Sequence, residues 1–460
     1  MKEDIKSMTL PELTTCMSAL GEKGFRAKQL YNWMHKNLVS SFDEMTNLSG
    51  ALKSKLKEQA DFVVLTPVDV RISSIDGTRK YLFRLQDGNV IESVLMRYRF
   101  GNSVCISTQV GCRMGCRFCA STLDGLVRSL RPSEMLEQIY RIQKDIGERI
   151  SNVVLMGSGE PFDNTENVFR FLDLISCEEG LNISQRNLTI STCGLIPGIE
   201  QLTARHSQVT LALSLHAPND TVRKELMPIA NKYHIQDVLA ACKKYFEVTG
   251  RRVTFEYSLV AGVNDNEDEA RQLAALLNGF PCHVNLIPVN PIKERNYVKV
   301  EDKKFIPTEI GIETTDKLQE FFKDIINVEY TKNMEDDLDK IAEGDMEWYK
   351  LLKMFYDDFE PKVEVAFKEM EKKAPEKTGE ICPNCGSELV IKQSRYGKFV
   401  ACSNYPTCKY IKNDKEEKKV VEIMNCPKCD GKVVEKKTKR GKIFYGCLNY
   451  PKCDFATWDK

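Results

Sequence analysis

The sequence predicts an α/β protein: an open, partial (β/α)6 barrel with a helical domain before it, then an α-helical segment and two small four-cysteine domains. Three observations carry this. From Ser103 onward, short apolar strands alternate with helix-length amphipathic segments, the pattern of a parallel sheet. The cysteines gather in three groups with metal-ligand spacing. A length of 460 residues exceeds one ordinary core, so several domains are expected.

Taken in order, residues 1–60 read as a helical domain. Phe25, Leu30, Trp33 and Met34 form one stripe between Phe25 and Lys36, bordered by Arg26, Lys28 and Lys36. Leu52 and Leu56 repeat the pattern between Leu48 and Gln59. Residues 61–100 switch to strand character, a β-hairpin connector with Asp76-Gly77 and Asp87-Gly88 as turn signals. The barrel is expected over 101–293. Its strands are placed at 103–108, 152–156, 187–192, 209–215, 252–260 and 283–288. Its helices are placed at 132–147, 164–178, 197–205, 236–248 and 266–278. Pro132, Asn164 and Asn266 mark helix starts, and Gly147, Gly180 and Gly250 mark stops. Six units fall short of the eight that close a full barrel, and loops that do chemistry belong at the strands' C-terminal ends.

Residues 300–373 read as helices near 318–326, 334–342 and 348–371. From 301 to 373 they carry 21 Asp/Glu against 12 Lys/Arg, and read as a solvated acidic face without catalytic features. The two four-cysteine domains are expected at 381–412 and 425–460, set off by charged linkers at 374–379 and 412–419.

Composition narrows the function classes. Net charge is zero, but its distribution is uneven. No run of 18 or more apolar residues predicts a membrane span, and the acidic start without an apolar stretch is not a secretory signal. Of the 17 cysteines, 11 fall in ligand-spaced clusters, which points to a reducing cytoplasm and bound metal rather than disulfides.

Cys112, Cys116 and Cys119 form a C-x3-C-x2-C run just after the first barrel strand. Thiolates favour iron–sulfur clusters or zinc. A structural zinc closes its shell with four protein ligands, so a triad without a nearby fourth leaves a position open. On a [4Fe-4S] cluster that position is one iron, free to chelate a small molecule. A half-built zinc site is the competing reading. Other loops fall at the same barrel end: Met156 to Pro161, whose glycines admit close approach and whose Glu160 suits an ammonium group; Ser191 to Gly194; Ser214 to His216; and Asn290. Singly each is an ordinary turn. Together with the triad they become specific.

Cys382, Cys385, Cys402 and Cys408 recur as Cys426, Cys429, Cys447 and Cys453, an internal repeat with four thiolates each, enough for two structural zinc ions. From 382 onward 17 Lys/Arg face 9 Asp/Glu, interleaved with Tyr396, Phe399, Tyr405, Phe444 and Tyr450. That mixture suits single-stranded nucleic acid, DNA included, through phosphate neutralisation and base stacking.

Residues 20–298 resemble the radical S-adenosylmethionine (SAM) RNA adenine C2-methyltransferases, the RlmN/Cfr-like family. The carrying stretches are Phe25 to Gln29, Ile91 to Met96, Val104 to Ser107, the Cys triad, Gly159-Glu160-Pro161, Ser214 to Ala217 and Val284 to Pro288. The resemblance implies a radical-SAM barrel in which Cys112, Cys116 and Cys119 hold the cluster. It implies that Gly159, Glu160, Ser191, Ser214, Leu215, His216 and Asn290 line the SAM site, that Glu92 is the proton acceptor, and that Cys105 is the resolving cysteine. The N-terminal helices resemble an RNA-binding accessory domain. The implied substrates are 23S rRNA and tRNA, with flavodoxin or ferredoxin as electron donor. By the same resemblance, one SAM would methylate a protein cysteine and a second would supply the radical chemistry that activates that methyl for an unactivated carbon.

The chain departs from this pattern where the methyl-carrying cysteine belongs, some tens of residues after Asn290. No cysteine lies between Cys282 and Cys382. Phe305 to Gly311 and Asn333 to Ala342 instead resemble the late core of bacterial type IA DNA topoisomerases, and the cysteine repeats resemble their zinc ribbons. Arg295 to Val298 suits both families, which places a join at 294–299, natural or artificial. Two expectations stand: an RNA methyltransferase impaired by the missing cysteine, or an incomplete chimera binding cluster, SAM and single-stranded nucleic acid.

Overall fold

A computed structural model describes residues 2–99, 101–300, 309–343, 345–369, 376–394, 397–412, 422–437, 443–450 and 452–458. They form two units, 1–367 and 368–460.

The first unit begins with β1 (Glu3–Asp4), α1 (Leu10–Ala19), α2 (Phe25–His35), α3 (Gly50–Gln59) and β2 (Ala60–Asp61), with β1 and β2 paired in parallel. Glu12 reaches back to the Thr9 N–H at 2.8 Å and caps α1. The buried face of α2 is Ala27, Leu30, Tyr31, Met34 and His35. Phe25, expected on that stripe, is exposed, because at about 100° per residue it falls on the far side from Leu30 and Met34. A buried ion pair ties this helical domain to the first barrel helix, Lys6 Nζ to Glu137 Oε1 at 2.6 Å.

β3 (Thr66–Ile72), β4 (Arg79–Arg84), β5 (Val90–Tyr98) and β6 (Gly101–Cys105) run antiparallel. The tight turns fall at the expected Asp-Gly pairs, with Gly77 and Gly88 at positive φ. A short ribbon comes next, β7 (Gln109–Gly111) with β8 (Leu126–Ser129). The barrel proper then alternates α4 (Pro132–Ile146), β9 (Ile150–Leu155), α5 (Thr165–Ile175), β10 (Leu188–Thr192), α6 (Ile196–Ala204) and β11 (Thr210–Ser214). It continues with α7 (Asp220–Leu226), α8 (Ile235–Thr249), β12 (Val253–Leu259), α9 (Glu267–Leu276) and β13 (Cys282–Pro288). The six barrel strands lie parallel in the order β6-β9-β10-β11-β12-β13.

The structure departs from the sequence-based expectation in two places. Residues 66–98 are not a separate hairpin: β3, β4 and β5 extend the barrel sheet to nine strands through the Val94–Cys105 pairing. They cover the edge that β6 would otherwise present. Helix α7 was not expected, since its seven residues, Asp-Thr-Val-Arg-Lys-Glu-Leu, are too few and too polar to show a stripe.

Register sorts the sheet into two faces. Val104, Val153, Ile190, Leu211, Leu213 and Phe255 point into the core against the helices. The alternate positions are Cys105, Ser191, Ser214, Glu256 and Asn285, a polar lining on neighbouring strands. Alternation of apolar and polar residues within nominally buried strands is thus what creates an inner surface able to bind.

The unit continues through α10 (Glu309–Phe322), α11 (Val328–Glu343) and α12 (Trp348–Glu369). Helix α11 docks on the barrel: Arg186 Nη2 donates to Glu335 Oε2 at 2.7 Å and the Ser184 hydroxyl to Asp339 at 2.9 Å. Most of the Phe305–Gly311 stretch, all of 370–375 and Tyr396 lie outside the described residues.

The second unit contains two antiparallel sheets. One joins β14 (Glu376–Ile381), β15 (Glu388–Ser394) and β16 (Gly397–Cys402). The other joins β17 (Glu422–Asn425), β18 (Lys432–Lys437), β19 (Ile443–Cys447) and β20 (Ala456–Thr457).

Candidate active site and zinc centres

The cysteine triad occupies the loop clasped between β7 and β8. A Cβ at Gly111 would lie 2.0 Å from the Gly125 carbonyl oxygen, so only glycine lets the two strands close, and the Cys112 N–H donates to that carbonyl at 2.9 Å. The Thr122 hydroxyl donates toward the carbonyls of Cys116 and Cys119 and holds the far end of the loop. The Arg117 N–H donates to the Leu226 carbonyl at 2.9 Å, tying the loop to α7. Cys112 and Cys116 are buried and Cys119 is half-buried. Burial pushes the Cys112 thiol up to about 11 and Cys116 to about 12, so both hold their protons until a metal cation claims the sulfur.

The triad's spacing tests which metal group fits. Among the described residues, the groups whose ligand atoms all lie within 4.8 Å of one another are the two four-cysteine sets, and the triad is not one of them. A single tetrahedral zinc needs its sulfurs about 3.8 Å apart, from a Zn–S bond of about 2.3 Å. A cubane gives each thiolate its own iron corner and takes a wider set. The triad therefore fits a cluster better than a lone ion.

Around this loop the predicted positions divide. Gly159 has φ +108°, and a Cβ there would lie 2.6 Å from the Gln109 Cβ. Glu160 is buried, with Oε2 accepting from the Cys193 N–H at 2.8 Å and Oε1 from the Phe162 N–H at 3.0 Å. Burial raises its pKa and these N–H groups pull it back. The carboxylate so links the loops after β9 and β10, with lone pairs to spare for a cation. The Ser191 and Ser214 hydroxyls stand 3.5 Å apart on the lining face.

His216 takes the left-handed φ of +54°. Its Nδ1 accepts from the Ser258 N–H at 2.9 Å, which leaves any ring proton on Nε2 while the ring is neutral. Burial lowers its pKa to about 3, and its ring packs edge-on against Phe118 of the cluster loop, centroids 4.8 Å apart. Leu215 behaves differently: its side chain is wholly in the core, so it can offer a ligand only backbone. Asn290 is exposed in the segment after β13.

Glu92 forms an ion pair with Lys80 of the adjacent strand. Cys105 stands on the same inner face, its thiol raised to about 11 by burial with a smaller push from Glu92. The two share a face because Val94 pairs with Cys105 and Glu92 lies two residues along.

Three supporting residues gave no or little sign in the sequence. Asn264, buried, donates to the carbonyls of His216 (2.7 Å) and Ser258 (2.8 Å) and accepts from the Val260 N–H (2.7 Å), fixing the His216 turn. Glu256 accepts from Asn285 Nδ2 at 2.8 Å on the lining face, and its carbonyl receives the N–H groups of Leu215 and His216. Arg223, on α7, is fully buried and donates to the Cys193 carbonyl at 2.7 Å. The signal for Glu256 was a lone charge in a largely buried strand; Arg223 and Asn264 left none. A cleft of about 1130 Å³ between Arg97, Asn187 and Glu335 lies at the opposite, N-terminal end of the strands and contains no predicted site residue.

In the second unit the thiols meet as their spacing requires. Cys382–Cys408 and Cys385–Cys402 Sγ atoms stand 3.7 and 3.3 Å apart, and Cys426–Cys453 and Cys429–Cys447 stand 3.6 and 3.5 Å apart. These are near the edges of a zinc tetrahedron. Backbone N–H groups of Asn404, Lys428, Gly431 and Asn449 each point at a ligand sulfur at 3.4 Å, the supporting contacts that steady a thiolate. Ser387 holds the Cys385 thiol down at about 6, and the Gly431 N–H holds Cys429 at about 7.

A partial barrel with a three-cysteine loop after its first parallel strand is the arrangement of a radical SAM protein, and residues 106–274 match the Radical SAM superfamily. Residues 3–62 match the ribosomal RNA large subunit methyltransferase N-terminal domain. The chain belongs to the RlmN-type family of radical SAM RNA methyltransferases. It is 64% identical over 294 residues to a probable dual-specificity RNA methyltransferase RlmN of Lachnospira eligens, covering 64% of this chain and 84% of that one. A relative of the same description from Lachnoclostridium phytofermentans is 59% identical over 296 residues, covering 64% and 83%. A radical SAM methyltransferase structure from Sphaerobacter thermophilus superposes with TM-score 0.63 at 42% identity, over 66% of this chain and 89% of that one. The remainder is of different kin: residues 288–353 match DNA topoisomerase, and 379–417 and 423–460 match the topoisomerase DNA-binding C4 zinc finger. The cofactors of the two parts are a [4Fe-4S] cluster with SAM, and zinc.

Proposed function

We propose that residues 1–298 bind a [4Fe-4S] cluster and SAM as in the adenine C2-methyltransferases of rRNA and tRNA, and that this chain stops short of turnover. One observation carries the second half: no cysteine lies between Cys282 and Cys382, so nothing stands where the methyl carrier belongs. When bound, the cluster and SAM supply one-electron chemistry and the methyl group.

The chain's own residues bind and orient. Cys112, Cys116 and Cys119 take the cluster. Gly159, Glu160, Ser191, Ser214 and His216 face SAM, Glu160 toward its ammonium group, with Leu215 and Asn290 contributing at the rim through backbone and side chain. Glu92 accepts a proton, with the Lys80 ammonium beside it as its counter-charge. Cys105 remains a thiol until a base approaches. Adenine reaches this surface only from an exposed or flipped-out position in folded RNA. The ribbons hold single-stranded nucleic acid, DNA included, and reduced flavodoxin or ferredoxin supplies electrons. The working compartment is the cytoplasm; no helix among the described residues is long and apolar enough to cross a membrane.

Mass spectrometry of RNA incubated anaerobically with the reconstituted protein, SAM and reductant tests this. Iron and sulfide in the protein with no 2-methyladenosine are expected. 2-Methyladenosine above background would sink the claim of arrest.

A further inference from the structure

Arg223 sits on α7, beyond the C-terminal end of β11, with no solvent exposure. Its Nη2 donates to the carbonyls of Cys193 (2.7 Å) and Ser214 (3.4 Å), and its Nε to that of Leu215 (3.3 Å). Its Nη1 is buried without any hydrogen-bond partner. Among the described residues no carboxylate comes within 4.0 Å to form an ion pair with it. Asp220, on the same helix, is engaged elsewhere, accepting from the Ile235 N–H at 2.9 Å and facing His234 at 3.2 Å. A guanidinium buried without an anion costs several kcal/mol. Such a site is completed by negative charge.

The packing leads from Arg223 to one triad cysteine, Cys116. Leu226 and Met227, at the end of α7, pack in one cluster with Cys116 and Cys193, and Gly115 of the triad loop abuts Pro228. Cys193, whose carbonyl Arg223 holds at 2.7 Å, packs in that same group as Cys116, which brings the guanidinium toward the triad loop. The helix that bears this cation is thus tied at its end to the triad loop.

We propose that Arg223 is the fixed counter-charge of the iron–sulfur cluster, a positioning residue whose cation raises the cluster's reduction potential. This rests on the cluster-binding reading above. A cubane held by three thiolates is anionic and gains one more negative charge when it accepts an electron. A cation beside it favours that more negative state, and burial leaves the effect little screened. An arginine that merely stapled the two loops through their carbonyls would affect folding without shifting the potential.

The test uses the full chain, reconstituted anaerobically, with Arg223→Gln and Arg223→Lys beside the unaltered protein. Dithionite delivers one electron per cluster while electron paramagnetic resonance reads the reduced form against applied potential. The Lys variant should titrate with the unaltered protein. In the Gln variant the reduced-to-oxidised ratio at a given potential should fall about tenfold, equivalent to about 59 mV for one electron. A Gln variant with full iron and an unshifted titration overturns the proposal. So does loss of SAM in equilibrium dialysis at unchanged potential, which would assign the charge to the SAM carboxylate. Failure of the Gln chain to fold by circular dichroism would make the residue structural and overturn it too. An unaltered protein without iron and sulfide would instead overturn the cluster-binding reading itself, and this proposal with it.

Discussion

Single residues here work mainly by being buried in a fixed state. His35 accepts or donates through Nδ1 with Tyr140 Oη at 2.7 Å, and burial lowers its pKa to about 3, as at His216. Both are therefore neutral in the folded protein at neutral pH. The unfolded chain protonates them near 6.5, so stability is complete above that pH and is lost as pH falls toward 3. Each histidine should remove roughly 1.4 kcal/mol per pH unit in that window. Urea unfolding at pH 7, 6 and 5 checks this: His35→Gln should flatten the fall, and an unchanged slope would contradict a neutral buried ring. Gly159→Ala asks for a methyl group 2.6 Å from Gln109 at φ +108°. It should cost about 1–3 kcal/mol and weaken SAM binding together, because Glu160 is its direct neighbour in the chain.

At the scale of elements, the ribbons and the barrel draw on different sources of stability. Each ribbon has a core of little more than its ligands, with Leu389 joining Cys382, Cys402 and Cys408 in one and Val433 joining three ligand cysteines in the other. Metal must supply the folding energy. A chelator should therefore melt 376–458 while leaving the helical signal of the barrel in place, and Cys402→Ser should release zinc from the first site alone, as read with a colorimetric zinc indicator. Helix α11 is a weaker attachment. Arg186 is mostly buried while Glu335 is half-exposed, so Arg186→Ala should change global stability by no more than about 1 kcal/mol. Amide exchange over 328–343 should nonetheless quicken, since that pair and Ser184–Asp339 are polar contacts holding the helix.

For the whole molecule, the Radical SAM match ends at residue 274 and the DNA topoisomerase match begins at 288, and no cysteine lies between Cys282 and Cys382. Replacing residues from 299 onward with the C-terminal segment of an RlmN relative should restore 2-methyladenosine, measured by mass spectrometry; restoration failing in a chain that holds iron and SAM would place the defect elsewhere. Much of this architecture was legible in the chain itself. The barrel strands and helices were found near their places because parallel βα units leave periodicities that switch between two and 3.6, and the order of barrel, helices and ribbons comes from local signals. The thiol groups were legible because metal ligation fixes spacing. The single-residue roles of Glu92, Cys105 and Asn290 rest on resemblance, because one side chain leaves no period or spacing to read. What the sequence could not convey is partnership across distance. That β3 to β5 extend the barrel sheet, that Leu215 turns into the core, and that Arg223 holds the carbonyls of Cys193, Ser214 and Leu215 depend on which strands and helices become neighbours. Local propensity determines elements and ligand sets; only the packed tertiary structure decides which loops a buried charge ties together, because those loops are far apart in the chain.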